Sequence, residues 1–118
     1  VFVKGIAGAL GLKSSPTSAS FSLMKKYQNK YRRLFHIDLF RLEKGEVFNL
    51  GFEEMLEDEQ AIILAEWPDP IAAMLPQDRL EMDFVLQQGD RRIIQLASFG
   101  RVSDARLEAL CKAVNPSF

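Results

Sequence analysis

Residues 61–68 read Ala61-Ile62-Ile63-Leu64-Ala65-Glu66-Trp67-Pro68. The continuously apolar run Ala61 to Ala65, bounded by charge, predicts a strand buried on both faces, as in a sheet covered by helices. Pro68 and Pro70 forbid its continuation and open a short helix through Ile71, Met74 and Leu75, closed by Pro76. Upstream, the alternation from Ser20 to Tyr27 predicts a strand, with Phe21, Leu23 and Lys25 opposed to Ser22, Met24 and Lys26. Gln28-Asn29-Lys30 is the hairpin tip and Arg33 to Phe40 the returning strand. Downstream, Arg79–Gln87 and Arg91–Ser98 alternate on either side of Gln88-Gly89-Asp90, a second hairpin.

Helical patterns frame these strands. Phe2, Ile6, Ala9 and Leu10 share a face that stops near Gly11, and residues 13–18 form a hydroxyl-rich loop. Glu43 to Glu57 turns helical, with Val47, Leu50, Met55 and Leu56 inward and Gly51 breaking it in two. Ser103 caps a last helix with Asp104 in its first turn and Leu107, Leu110, Cys111 and Val114 on one face. Helices interspersed with strands, one of them fully apolar, give an α/β layer architecture with an antiparallel edge.

The chain has 118 residues, 47% of them apolar, which fits a single domain over 1–118 with one real core. Its single Cys, Cys111, excludes a disulfide framework and fits a reduced compartment. There is no apolar run of the roughly 20 residues that a span needs, and no export signal at the front, so a cytoplasmic location is expected. The net charge of −1 hides a division. Residues 1–37 hold Lys4, Lys13, Lys25, Lys26, Lys30, Arg32, Arg33 and no acid, and all 16 acidic residues follow. Such a front favours a polyanion partner, nucleotide phosphate or RNA.

The stretch His36-Ile37-Asp38-Leu39-Phe40-Arg41-Leu42 concentrates three ionisable side chains at a predicted strand end, where α/β sheets bind ligands. His36 and Asp38, two apart, share a face; read without function, they are a hydrogen-bonded sheet residue and, with Arg41, a structural ion pair. Glu66 directly after an apolar strand is how a Mg²⁺-binding or water-orienting acid is presented in phosphate-transferring folds. Equally, any strand must end in something polar. One His and one Cys exclude a zinc spacing, and neither Gly-x-Gly-x-x-Gly nor Gly-x-x-x-x-Gly-Lys-Ser/Thr occurs in the 118 residues. Lys25-Lys26-Tyr27-Gln28-Asn29-Lys30-Tyr31-Arg32-Arg33 interleaves five cations with two Tyr, which suits a phosphate backbone and stacked bases or simply a solvated tip.

Taken together, these stretches resemble the TsaE family (also called YjeE), small P-loop ATPases of bacterial tRNA threonylcarbamoyladenosine biosynthesis. His36 to Leu42 is similar to its H-x-D-x-Y-R-L box, with Phe40 in place of Tyr. Leu64-Ala65-Glu66-Trp67-Pro68 is similar to its I-E-W-P strand end, and Met74-Leu75-Pro76-Gln77-Asp78-Arg79-Leu80-Glu81 to its L-L-P-x-D-R-L-E segment. The order and spacing of the three boxes agree.

The resemblance implies a P-loop NTPase-like mixed sheet flanked by helices, N-terminally truncated: Val1-Phe2-Val3-Lys4-Gly5 looks like the residues just after the family's G-x-x-x-x-G-K-T. It implies ATP and Mg²⁺ as cofactors, with Asp38 and Glu66 supporting the metal and the attacking water, their division of labour left open. His36, Arg41 and Trp67 would bind nucleotide or shape the site. Where the family reads T-S-P-T-F-T-L, this chain reads Thr17-Ser18-Ala19-Ser20-Phe21-Ser22-Leu23, so Ser20 keeps the hydroxyl near the terminal phosphate while Ala19 loses the Pro. Another register sets Ser15-Pro16-Thr17 at that box. The implied role is an ATPase accessory acting with TsaB and TsaD homologues, reaching tRNA through that complex, with no membrane or DNA partner. Two other readings stand beside it, a catalytically degenerate binding module of the same complex and a tRNA-binding domain using residues 25–33.

Overall fold

The computed structural model describes residues 2–14, 24–40 and 51–117. It divides into two compact units, Val1–Ala73 and Met74–Phe118. Ser20, Arg41, Val47 and Leu50 lie outside the described residues.

The first unit is built on a four-stranded mixed sheet. Helix α1 (Phe2–Ala9) ends at Gly11, whose φ of 68° lies in the left-handed region that glycine adopts freely. Lys13–Ser14 (β1), Met24–Gln28 (β2), Arg33–Asp38 (β3) and Ala61–Glu66 (β4) form the sheet in the order β1-β2-β3-β4. The first three strands pair antiparallel and β3 pairs parallel with β4. A parallel pair needs a long crossover, which here contains helix α2 (Phe52–Glu57). Lys13 and Ser14, expected in a loop, instead pair with Gln28 and Tyr27.

One sheet face carries Tyr27, Leu34, Ile62 and Leu64, packed with Val3, Ala7 and Leu12 into a core that Ile6 and Leu10 flank. The inward stripe of α1 is therefore Val3–Ala7, one helical turn apart, while Phe2 and Ala9 are exposed rather than inward. In α2 the buried residues are Phe52 and Met55, three apart; Leu56, expected inward, is exposed. Gly51 precedes α2 with φ 66°, and the part of the expected 43–57 helix before it lies outside the described residues. Ala61 to Ala65 are half-buried, not buried on both faces, because β4 is the outermost strand of the described sheet and has a neighbour on one edge only.

The β2–β3 turn is fastened by Asn29, whose Oδ1 accepts the N–H groups of Tyr31 (2.8 Å) and Arg32 (2.9 Å). At the base of β3, Arg33 grips Asp58 with two parallel bonds, Nε to Oδ2 and Nη2 to Oδ1 at 2.8 Å. The guanidinium hydrogen bonds hold the Asp58 carboxyl down to about 2. A short 3₁₀ helix, Asp69–Met74, buries Ile71.

The second unit is the expected hairpin, Arg79–Leu86 (β5) and Arg92–Phe99 (β6), with helix α3 (Arg101–Val114). Ser103 is not its cap. Asp78 caps α3 from 24 residues upstream: Oδ2 accepts Val102 N–H and Oδ1 accepts Ser103 N–H, both at 2.9 Å, and the Ser103 hydroxyl donates to Oδ1 as well. These bonds to Ser103 and Val102 hold the Asp78 carboxyl below its usual range. The approach requires Gly100, where an added Cβ would lie 2.6 Å from Asp78 Oδ2 and 2.9 Å from its Cα. The α3 stripe runs through Ser103, Leu107 and Cys111, so Leu110 and Val114 are exposed, contrary to the single face expected. Arg79 lies 4.5 Å above the Phe99 ring and pairs with Glu81 at 2.9 Å.

Candidate active site

The parallel register of β3 and β4 sets Asp38 directly beside Glu66, both at strand carboxyl ends. Paired residues point to the same face, so Asp38 and Glu66 follow His36 and Leu64 on the α1 side of the sheet. The backbone closes this end as well, with Leu39 N–H bonded to the Glu66 carbonyl at 3.0 Å. Asp38 is set by its own turn: Oδ1 accepts the N–H of Phe40 at 3.1 Å.

His36 Nε2 lies 3.4 Å from Glu66 Oε1. His36 Nε2 is buried and makes no hydrogen bond to another described residue, since the 3.4 Å approach is poorly directed. The His36 side chain is 19% exposed and that of Glu66 50%, so the pair runs from the sheet interior to the rim. A buried polar atom without a partner is costly.

Trp67 follows Glu66 with φ 56°, the one non-glycine residue of positive φ among those described. Pro68 disfavours helical conformations at residue 67 and pushes it toward extended backbone, so this geometry is doubly unusual. Its indole is tilted 57° against the Phe40 ring with centroids 5.3 Å apart, and both rings are exposed. An outlier of this kind at the end of a strand is strain held at a candidate functional site.

The structure thus brings together His36, Asp38, Glu66 and Trp67. Phe40 joins them as the partner ring, and Lys25, directly opposite His36 on β2, shares their face. The substitution of Phe for Tyr in the H-x-D-x-Y-R-L pattern was the signal for the first; alternation, which placed Lys25 with Leu23, was the signal for the second. The basic cluster is dispersed. Its tip, Asn29 to Arg32, joins the start of β3, so five strand steps, about 17 Å, separate it from Asp38.

The family model of "Threonylcarbamoyl adenosine biosynthesis protein TsaE" matches residues 1–94. The chain belongs to the TsaE family. Its relatives include the tRNA threonylcarbamoyladenosine biosynthesis protein TsaE of Bacillus subtilis (strain 168), 32% identical over 114 residues, which cover 97% of this chain and 68% of the relative. The protein of the same name from Borreliella burgdorferi is 35% identical over 96 residues, covering 80% and 69%. Among solved structures, the crystal structure of Bacillus subtilis YdiB superposes with a TM-score of 0.74 at 29% identity, over 97% of this chain and 69% of that one. The mixed sheet with flanking helices is thus the TsaE-type, P-loop NTPase-like fold.

Proposed function

We propose that this chain works in tRNA threonylcarbamoyladenosine modification as a Mg²⁺-dependent ATPase accessory in the cytoplasm, acting with TsaB and TsaD homologues. Family membership supports the pathway. The observation that carries the chemistry is the side-by-side placement of Asp38 and Glu66 at the ends of two parallel strands.

These donors suit Mg²⁺, a hard cation held by one or two carboxylates that completes its shell with phosphate oxygens and water. Bound there, it would supply neutralisation of charge on the terminal phosphates. Asp38, half-buried and fixed through Phe40 N–H, would be the rigid metal ligand. Glu66, longer and half-exposed, would orient the attacking water. His36 lies beside Glu66 on the sheet side, and the Phe40–Trp67 rings flank the rim.

The test is ATP turnover by the full-length gene product, native and with Asp38→Asn or Glu66→Gln. Each variant is expected to lose about 10²–10³-fold in turnover. Native turnover in both would refute the site.

A further inference from the structure

Of the cations on strands β1 to β4, Lys13, Lys25, Lys26 and Arg33, only Lys25 stands on the face of the two carboxylates. Lys25 pairs in register with His36, and His36 with Leu64. Alternation sets Tyr27 and Lys25 on the same side, and Tyr27 is the last residue of that row buried in the α1 core. Lys25, two residues on, is exposed. Its neighbours on that face are His36, then Asp38 and Glu66. One strand spacing across and two residues along separate the Cα atoms of Lys25 and Asp38 by about 8 Å. A lysine stem extends about 6 Å, so the ammonium can reach a ligand seated on the two carboxylates.

The other cations of that stretch are committed elsewhere. Lys26 points to the opposite face, 5.7 Å over the Phe35 ring. Arg33 is clamped to Asp58. Lys30 sits over Tyr31 at the hairpin tip, and Arg32 is in the same turn. Lys25 makes no hydrogen bond or ion pair with any other described residue, so its charge is not engaged by the neighbouring acids.

We propose that Lys25 is a phosphate-contacting residue that binds the terminal phosphate of the nucleotide between β2 and the Asp38–Glu66 pair. This rests on the nucleotide reading given above. Two carboxylates facing a triphosphate concentrate negative charge that one divalent ion only partly offsets, and a mobile, point-like ammonium is suited to the remainder. On that reading Glu66 would face the phosphorus under attack, and a cation one strand row away would meet the terminal phosphate rather than the inner ones.

Isothermal titration calorimetry of the full-length gene product with MgADP and with a non-hydrolysable Mg-ATP analogue, in native protein and in Lys25→Met, Lys25→Arg and Lys26→Met variants, tests this. Lys25→Met is expected to weaken the triphosphate by about 5- to 20-fold and the diphosphate by less than about twofold, with Lys25→Arg recovering most of the loss. Lys26→Met, on the other face, is expected to bind both as native does. Equal triphosphate affinity in native and Lys25→Met, or an equal loss in Lys26→Met, overturns the assignment of Lys25 and leaves the nucleotide site standing. Absence of binding by the native protein overturns both.

Discussion

Trp67 offers a test in which the usual order of two substitutions is reversed. Trp67→Ala and Trp67→Gly both remove the indole and its contact with Phe40, so their difference isolates the backbone at φ 56°. A side chain with a Cβ in the left-handed region costs about 1–2 kcal/mol that glycine does not incur. Glycine in turn loses about 0.4–1 kcal/mol through the greater freedom of its unfolded chain. At the middle of these ranges Trp67→Gly is more stable than Trp67→Ala by about 0.8 kcal/mol. Urea unfolding followed by far-UV circular dichroism reads this directly. At a slope near 2 kcal/mol per molar it is a midpoint higher by about 0.4 M in the glycine variant. Trp67→Ala matching or exceeding Trp67→Gly would refute the claim that this residue holds strain. If the strain serves the site, Trp67→Gly is expected to turn over ATP more slowly than native protein despite its relaxed backbone, because Glu66 is then less firmly placed.

Two further outcomes follow from the packing. Asp58 is held at about 2, below its ordinary 3.8, so the Arg33 clamp stabilises the fold fully above about pH 4 and is lost as pH falls toward 2; acid titration of native protein against Asp58→Asn is expected to show that extra loss only in the native chain. Gly100→Ala must move Asp78 off the α3 terminus and adopt φ 97°, which is expected to cost about 1–3 kcal/mol and to speed amide exchange at Val102 and Ser103, measured by hydrogen exchange with NMR.

Local pattern reached the elements whose causes are local. The hairpin of β5 and β6 announced itself through alternation around Gly89, whose φ of 70° suits the turn, and Asn29 closed the first hairpin with its own side chain. The strand ending in Glu66 and the one ending in Asp38 were both legible, yet their adjacency was not, since it is a matter of parallel register across a long crossover. The same holds for Asp78, which caps a helix 24 residues away and left Ser103 looking like the cap, and for Arg33 with Asp58, 25 residues apart. Nothing local signalled the left-handed backbone of Trp67, because a residue before proline ordinarily favours extended conformations. Buried stripes were shifted in α1 and α3 because hydrophobicity identified apolar residues without saying which of them meet the sheet; Val3–Ala7 and Ser103–Leu107–Cys111 do.

The central claim is that Asp38 holds the divalent ion of a bound nucleotide while its neighbour Glu66 serves the water. Mn²⁺, which shares the preference of Mg²⁺ for oxygen donors and whose free form is counted by electron paramagnetic resonance, tests it in the full-length gene product with a non-hydrolysable ATP analogue. Native protein and Glu66→Gln are expected to bind about one Mn²⁺ per chain when the analogue is present, and Asp38→Asn to bind at least about tenfold more weakly. Mn²⁺ affinity in Asp38→Asn equal to that of native protein would contradict the claim.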